Sequence, residues 1–261
     1  MHTCLITLRL LLLCLVGSVC GANYALAYSR SDVPREAPES RPFTGQDEAR
    51  ALFNTGVMFD RGRGVPQDYA EAVRWYRLAA EQGLAEAQYN LGQMFAQGYG
   101  VTKDSAMAVY WYRLAAQQGL AAAQFNLGMR YYRGNGVRQD YGQALEWFRL
   151  AAEQGDSQAQ NNLGAIYLLG MGVSRNYRES VRWYRKAAEQ GEAIAQFNLG
   201  NMYVQGHGVA KDYVQAHLWL SLSAAQGDED AFKLRNRIAG QMTSVQISEA
   251  ERLAREWNPQ P

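Results

Sequence analysis

The chain has 261 residues, 48% of them hydrophobic and 11% aromatic, which suffices for one large domain or two small ones and is too apolar for a disordered protein. Basic and acidic residues nearly cancel, 26 against 25, so there is no net field of the kind that gathers nucleic acid or an anionic membrane non-specifically. The charge balance therefore argues against a polyanionic partner.

The chain opens with MHTCLITLRLLLLCLVGSVCGANYALA, in which Arg9 precedes the run Leu10–Leu13 and small residues follow down to Ala25–Ala27. This pattern predicts a cleaved export signal over residues 1–27 and a mature protein that is periplasmic or secreted. Two alternatives stay open. One is a retained anchor, although the apolar run is short for a membrane span. The other is a lipoprotein acylated at Cys20, where the bulk of Val19 ahead of the cysteine fits poorly. Cys4, Cys14 and Cys20 all fall in this segment, so the mature chain has no disulfide to use and its stability must come from packing. Residues 28–47 follow as a flexible leader, with Pro34, Pro38 and Pro42, several charges and no apolar periodicity.

From residue 48 the chain repeats itself. Trp75, Trp111, Trp147, Trp183 and Trp219 stand 36 residues apart, and glycine pairs keep the same period, from Gly62 and Gly64 to Gly206 and Gly208. So do the closing glycines Gly83, Gly119, Gly155, Gly191 and Gly227. Such a period, made of two helical patterns separated by turns, predicts an α-solenoid with units at 48–83, 84–119, 120–155, 156–191 and 192–227. The second helix of each unit has a start signal: Asp68 with Glu71, Asp140 with Gln143, Asn176 with Glu179 and Asp212 with Gln215 have capping-box spacing, while Asp104 keeps only the cap. Tyr69, Ala72, Val73, Tyr76, Ala79 and Ala80 then draw one apolar stripe, with Glu71, Arg74 and Glu81 off it.

The first helix of each unit carries a costly glycine in its middle, at Gly92, Gly128, Gly164 and Gly200. A glycine there costs roughly 1 kcal/mol against alanine, which predicts that a tryptophan or tyrosine of the repeat occupies the space above it. The glycines that follow the helix are expected to end it with a positive φ. The same helix repeats an asparagine, at Asn54, Asn90, Asn126, Asn162 and Asn198. Asparagine is a poor helix-interior residue whose amide wants partners, so it serves either a ligand or a tie between adjacent helices.

The segment AEAQYNLGQMFAQGYGVTKDSAMAVYWYRLAAQQG, with its A-x-x-x-L-G, G-x-G-V and A-A-x-Q-G elements, resembles a Sel-1-like repeat, a relative of the tetratricopeptide repeat. The resemblance covers five units, the first departing with Thr55 where later copies have leucine. It implies an all-α fold: a right-handed α-solenoid of stacked helix-turn-helix repeats. Residues 228–261 lose the pattern, with Ala231 in register, Asn236 in the glycine column, and Ile247, Ala250, Ala254 and Trp257 on one face. They are expected to form C-terminal capping helices.

The resemblance also implies a protein or peptide partner, since the asparagine position of tetratricopeptide relatives faces a concave groove and hydrogen-bonds peptides. Asn90, Asn126, Asn162 and Asn198 are accordingly the candidate peptide-binding residues. Bacterial relatives scaffold envelope complexes, restrain sensor kinases or engage host proteins. Some cysteine-rich relatives are linked to β-lactam binding or hydrolysis, but this chain has neither paired cysteines after the signal nor an S-x-x-K. Nucleophile-elbow, zincin and phosphate-loop patterns are likewise missing, so no catalytic residue, metal site or cofactor is assigned. His207 reads as a variable turn residue and His217 as a helix-face residue. The arginines Arg77, Arg113, Arg149 and Arg185 read as a solvated face, with Glu81, Glu153 and Glu189 four residues after three of them. The expectation is a non-catalytic, exported scaffold without a membrane span once the signal is removed.

Overall fold

The structure, a computed structural model, describes residues 45–259. The expected signal and residues 28–44 of the leader lie outside them. Twelve α-helices and no strands form among the described residues: α1 (Gly45–Arg61), α2 (Tyr69–Glu81), α3 (Ala85–Gln97), α4 (Ser105–Gln117), α5 (Ala121–Arg133), α6 (Tyr141–Glu153), α7 (Ser157–Leu169), α8 (Tyr177–Glu189), α9 (Ala193–Gln205), α10 (Tyr213–Ala225), α11 (Glu229–Ala239) and α12 (Ser244–Glu256). Helix α1 starts inside the expected leader. Asp47 and Glu48 occupy its first turn, where negative charge suits the helix dipole, and Ala49 is buried.

From α1 to α11 each helix packs on its neighbours in the chain, α1 with α2, α2 with α3 and so on, and α12 packs on α10. This one-dimensional stacking is the solenoid. Neither helix of a pair could cover its own stripe, and the core runs from repeat to repeat as successive buried clusters through Tyr76, Leu91, Leu127, Phe148, Leu163, Tyr184, Leu199 and Leu220, all essentially without solvent contact.

The glycine inside each first helix explains how the core fits. A Cβ at Gly92 would lie 2.8 Å from the Tyr112 ring, and one at Gly128 2.8 Å from the Phe148 ring. Gly56, Gly164 and Gly200 receive Tyr76, Tyr184 and Leu220 in the same way. The occupant is the tyrosine column, replaced by phenylalanine and leucine in two copies, and never the tryptophan. Burial pushes the Tyr112 hydroxyl up to about 12 and those of Tyr76 and Tyr184 higher still. From the second repeat onward, the second glycine of the turn meets two demands at once. Gly100 has φ 66°, and a Cβ on it would run into the backbone carbonyl of Tyr69 at the start of the preceding second helix.

All five second helices receive the expected N-cap: Asp68, Asp104, Asp140, Asn176 and Asp212 each accept a backbone N–H of the first turn. The return half of the capping box does not form in these helices. Glu71 and Glu179 bond instead to Arg74 and Arg182, one turn on, at 2.7 and 3.3 Å. The reciprocal box occurs at Thr243 and Gln246, opening α12. There Ala250 is buried, and Leu253, Ala254 and Trp257 close over Val181, Tyr184, Leu218 and Trp219 of the last two second helices.

Candidate functional site

The candidate asparagines lie half-buried on consecutive first helices, and their amide nitrogens are already engaged. Asn126 Nδ2 donates to the Ala122 carbonyl at 2.9 Å and to the Tyr89 hydroxyl of the preceding first helix at 3.3 Å. Asn162 Nδ2 donates to the Gln158 carbonyl at 2.9 Å, and Asn198 Nδ2 to Asn161 Oδ1 at 3.0 Å, again across to the preceding first helix. Asn90 bonds the Tyr76 hydroxyl, which itself donates to Asp60 at 3.0 Å. Among the described residues, the side-chain oxygens of Asn126, Asn162 and Asn198 accept nothing from the protein. The anchored nitrogens hold the amide planes, and a row of hydrogen-bond acceptors is left facing outward at one per repeat.

The buried amides are glutamines. Gln88, Gln124, Gln160 and Gln196 are between 0% and 5% exposed. Gln88 Nε2 donates to the Ala80 carbonyl at 3.1 Å, and Gln88 Oε1 accepts from Gln118 Nε2 at 2.8 Å. The arrangement recurs with Gln124, Ala116 and Gln154, with Gln160, Ala152 and Gln190, and with Gln196, Ala188 and Gln226. Each glutamine thus clamps the end of one second helix to the next first helix and to the end of its partner. Sequence reasoning gave these residues no role. The signal was available, because a polar residue recurs beside the alanine of A-x-x-x-L-G, and the clamp partner is the glutamine of A-A-x-Q-G.

The arginine column divides. Arg149 makes the expected pair with Glu153, at 4.0 Å, and a closer one with Glu146 at 3.2 Å. Arg113 and Arg185 instead reach forward to the hydroxyls of Tyr131 and Tyr203, at 3.1 and 2.8 Å, bracing the next first helix. His207 stacks on Tyr177 with ring centroids 4.5 Å apart, a packing role for a turn residue. His217 departs from its reading as an ordinary helix-face residue: it is 5% exposed, its Nδ1 lies 3.3 Å from Ser221 Oγ, and burial holds its pKa below the usual value. Among the described residues no group of three or more His, Cys, Asp or Glu could hold a metal ion, and no helix is long and apolar enough to cross a membrane.

The Sel1 repeat family model matches residues 49–84, 85–120, 121–156, 157–192 and 193–228, five consecutive copies. The chain belongs to the Sel1 repeat family. Its Sel1 repeats resemble those of a solved protein described as a protective antigen present in uropathogenic Escherichia coli strains and displaying an SLR fold. That match has 42% identity and a TM-score of 0.74, and covers 81% of this chain and 46% of the other. The present chain thus spans less than half of that relative. A Sel1 repeat protein from Oxalobacter formigenes is 34% identical with a TM-score of 0.70, covering 85% of this chain and 90% of that one. None of the curated proteins matches the chain. In the last four units the matched segment begins at the first residue of the first helix, and in the first unit it begins inside α1, at Ala49.

Proposed function

We propose that this Sel1 repeat protein is a non-catalytic scaffold, adaptor or regulator of the bacterial cell envelope that holds a protein or peptide along its first-helix face. The observation that carries the reading is the row of side-chain oxygens on Asn126, Asn162 and Asn198. They are spaced one per repeat, their planes are fixed by the bonds of their nitrogens, and no group among the described residues occupies them. An extended peptide offers backbone N–H donors to such a row. The export signal expected over residues 1–27 supports the envelope setting, as does the description of the Escherichia coli relative as a protective antigen.

The double variant Asn126→Ala/Asn162→Ala tests this. A partner recovered by crosslinking from the native envelope should bind it about tenfold more weakly, since each lost hydrogen bond contributes about 0.5–1.5 kcal/mol. Melting should hardly change, because the helix propensity of alanine at two positions offsets the lost bonds to Ala122, Gln158 and, at a long 3.3 Å, the Tyr89 hydroxyl. Lowered melting with unchanged affinity would reassign the asparagines to tying first helices together.

A further inference from the structure

At the C-terminal end two columns change character together. The column that holds Val73, Val109, Leu145 and Val181 in the earlier second helices holds His217 in α10, and the column of Arg77, Arg113, Arg149 and Arg185 holds Ser221. Val73, Val109 and Val181 are core residues, each 4% exposed. His217 is as buried, yet it opens onto a pocket of about 410 Å³ where α10, α11 and α12 meet. Arg235 and Asn236 enter the pocket from α11, and Glu251 and Arg255 from α12. Ala239, Ile247 and Ala254 give it an apolar side.

We propose that this junction is a binding site for a monoanionic carboxylate carried on an aliphatic skeleton, either a free small acid or the C-terminal residue of a peptide. Its volume falls within the range of ligand pockets, about 300–1,000 Å³. Two guanidiniums against one carboxylate leave a single net positive charge, which suits a monoanion, and Glu251 repels a dianion about twice as strongly as a monoanion at the same place. Glu251 and Arg255 already lie 3.9 Å apart at the rim, holding the Arg255 fork in place. Arg235 is positioned by its bonds from Nε and Nη2 to Asn236 Oδ1, at 3.3 and 3.0 Å, and by the Phe232 ring 4.9 Å beneath it. A planar carboxylate matches a guanidinium fork in both atoms, and the alkyl part finds Ala239, Ile247 and Ala254. His217, neutral and bonded on one side to Ser221, supplies the floor. The site lies apart from the first-helix row and does not depend on it.

The full-length protein, titrated with sodium butyrate while the His217 imidazole resonances are followed by NMR, tests the site. A saturable shift is expected, weaker by about tenfold in Arg235→Gln and Arg255→Gln, since each variant loses a charge-assisted hydrogen bond. Both arginines lie toward the surface, so thermal melts should show both variants folded. His217→Val, which restores the internal column, removes the polar floor and should weaken butyrate binding as read by calorimetry. A short peptide with a free C-terminus that competes better than butyrate, while its amidated form does not compete, identifies a chain terminus as the natural ligand. Butyrate binding without peptide competition identifies a free acid. No saturable shift, an equal response to sodium chloride, or unchanged affinity in both arginine variants overturns the proposal.

Discussion

In the third repeat Gly128 receives the Phe148 ring, and Gln124 is gripped between the Ala116 carbonyl and Gln154. At the C-terminal end the equivalent positions are Asn236 and Phe232, both exposed, on α11. The second-helix stripe changes in the same place, from Val109 and Arg113 to His217 and Ser221. Internal columns are held constant because each copy must fit the copy before and the copy after it. The end has only one neighbour. Helix α11 takes the place of a further first helix against α10, α12 packs directly on α10 as no second helix packs on the next within the repeats, and neither carries the glycine-and-ring pair or the glutamine clamp. Where the lock-and-key columns stop, a polar pocket appears.

The largest effect expected from this contrast is removal of the end itself. A chain stopping at Gly227 would uncover Leu218, Trp219 and Leu220, which α11 and α12 now help to bury. It should melt lower and aggregate, as light scattering during a thermal ramp would show, and unchanged solubility would mean that α11 and α12 are appendages. Next comes Gly164→Ala, whose Cβ would run into the ring of Tyr184, itself 1% exposed and without room to move. Overpacking of this kind costs about 1–3 kcal/mol, beyond the gain in helix propensity, and should appear in a denaturant titration. Asn236→Ala, the same column at the end, should stay within about 0.5 kcal/mol.

Gln124→Ala removes the bond to the Ala116 carbonyl and the bond from Gln154, so at about 0.5–1.5 kcal/mol for each it should cost about 1–3 kcal/mol in the same titration. Gln82→Ala should cost almost nothing, because the position that would clamp it, 30 residues earlier, is Leu52. Equal losses would show that the clamp adds nothing to ordinary helix packing. The smallest effect is one of pH. His217 faces Arg235, Glu251 and Arg255, and its folded pKa lies below the unfolded value near 6.5, mainly through burial and then through Arg235. Between those two values the unfolded chain holds more protons, so stability should fall as pH drops from neutral through that window. His217→Val should flatten the slope of melting temperature against pH there, and an unaltered slope would show that His217 is not the titrating group.

Much of the architecture was legible in the residues, and for a definite reason. A short period repeated without a break turns local signals into long-range ones: the caps at Asp68, Asp140 and Asp212, the turn glycines and the stripe through Tyr76 and Ala79 need only neighbours a few positions away to be read. The asparagines and glutamines show where such reading stops. Both recur in every internal repeat at polar positions of a helix, and periodicity treats them alike. Only packing separates them: Gln88 and its equivalents point between three helices and are sealed there, while Asn126 and Asn162 keep an oxygen outward.

Sequence by itself therefore determined the number of repeats, their two-helix form and their membership of the Sel1 family, because these follow from short-range geometry copied five times. Tertiary structure decided what each polar column does, since burial and hydrogen-bond partners depend on residues 30 to 37 positions away. It also decided that tyrosine rather than tryptophan fills the glycine gap, that Arg113 and Arg185 reach forward to a tyrosine instead of back to their own helix, and that His217 ends up enclosed. Side-chain direction and the closing of α11 and α12 over α10 settle these points, and neither is written in the period.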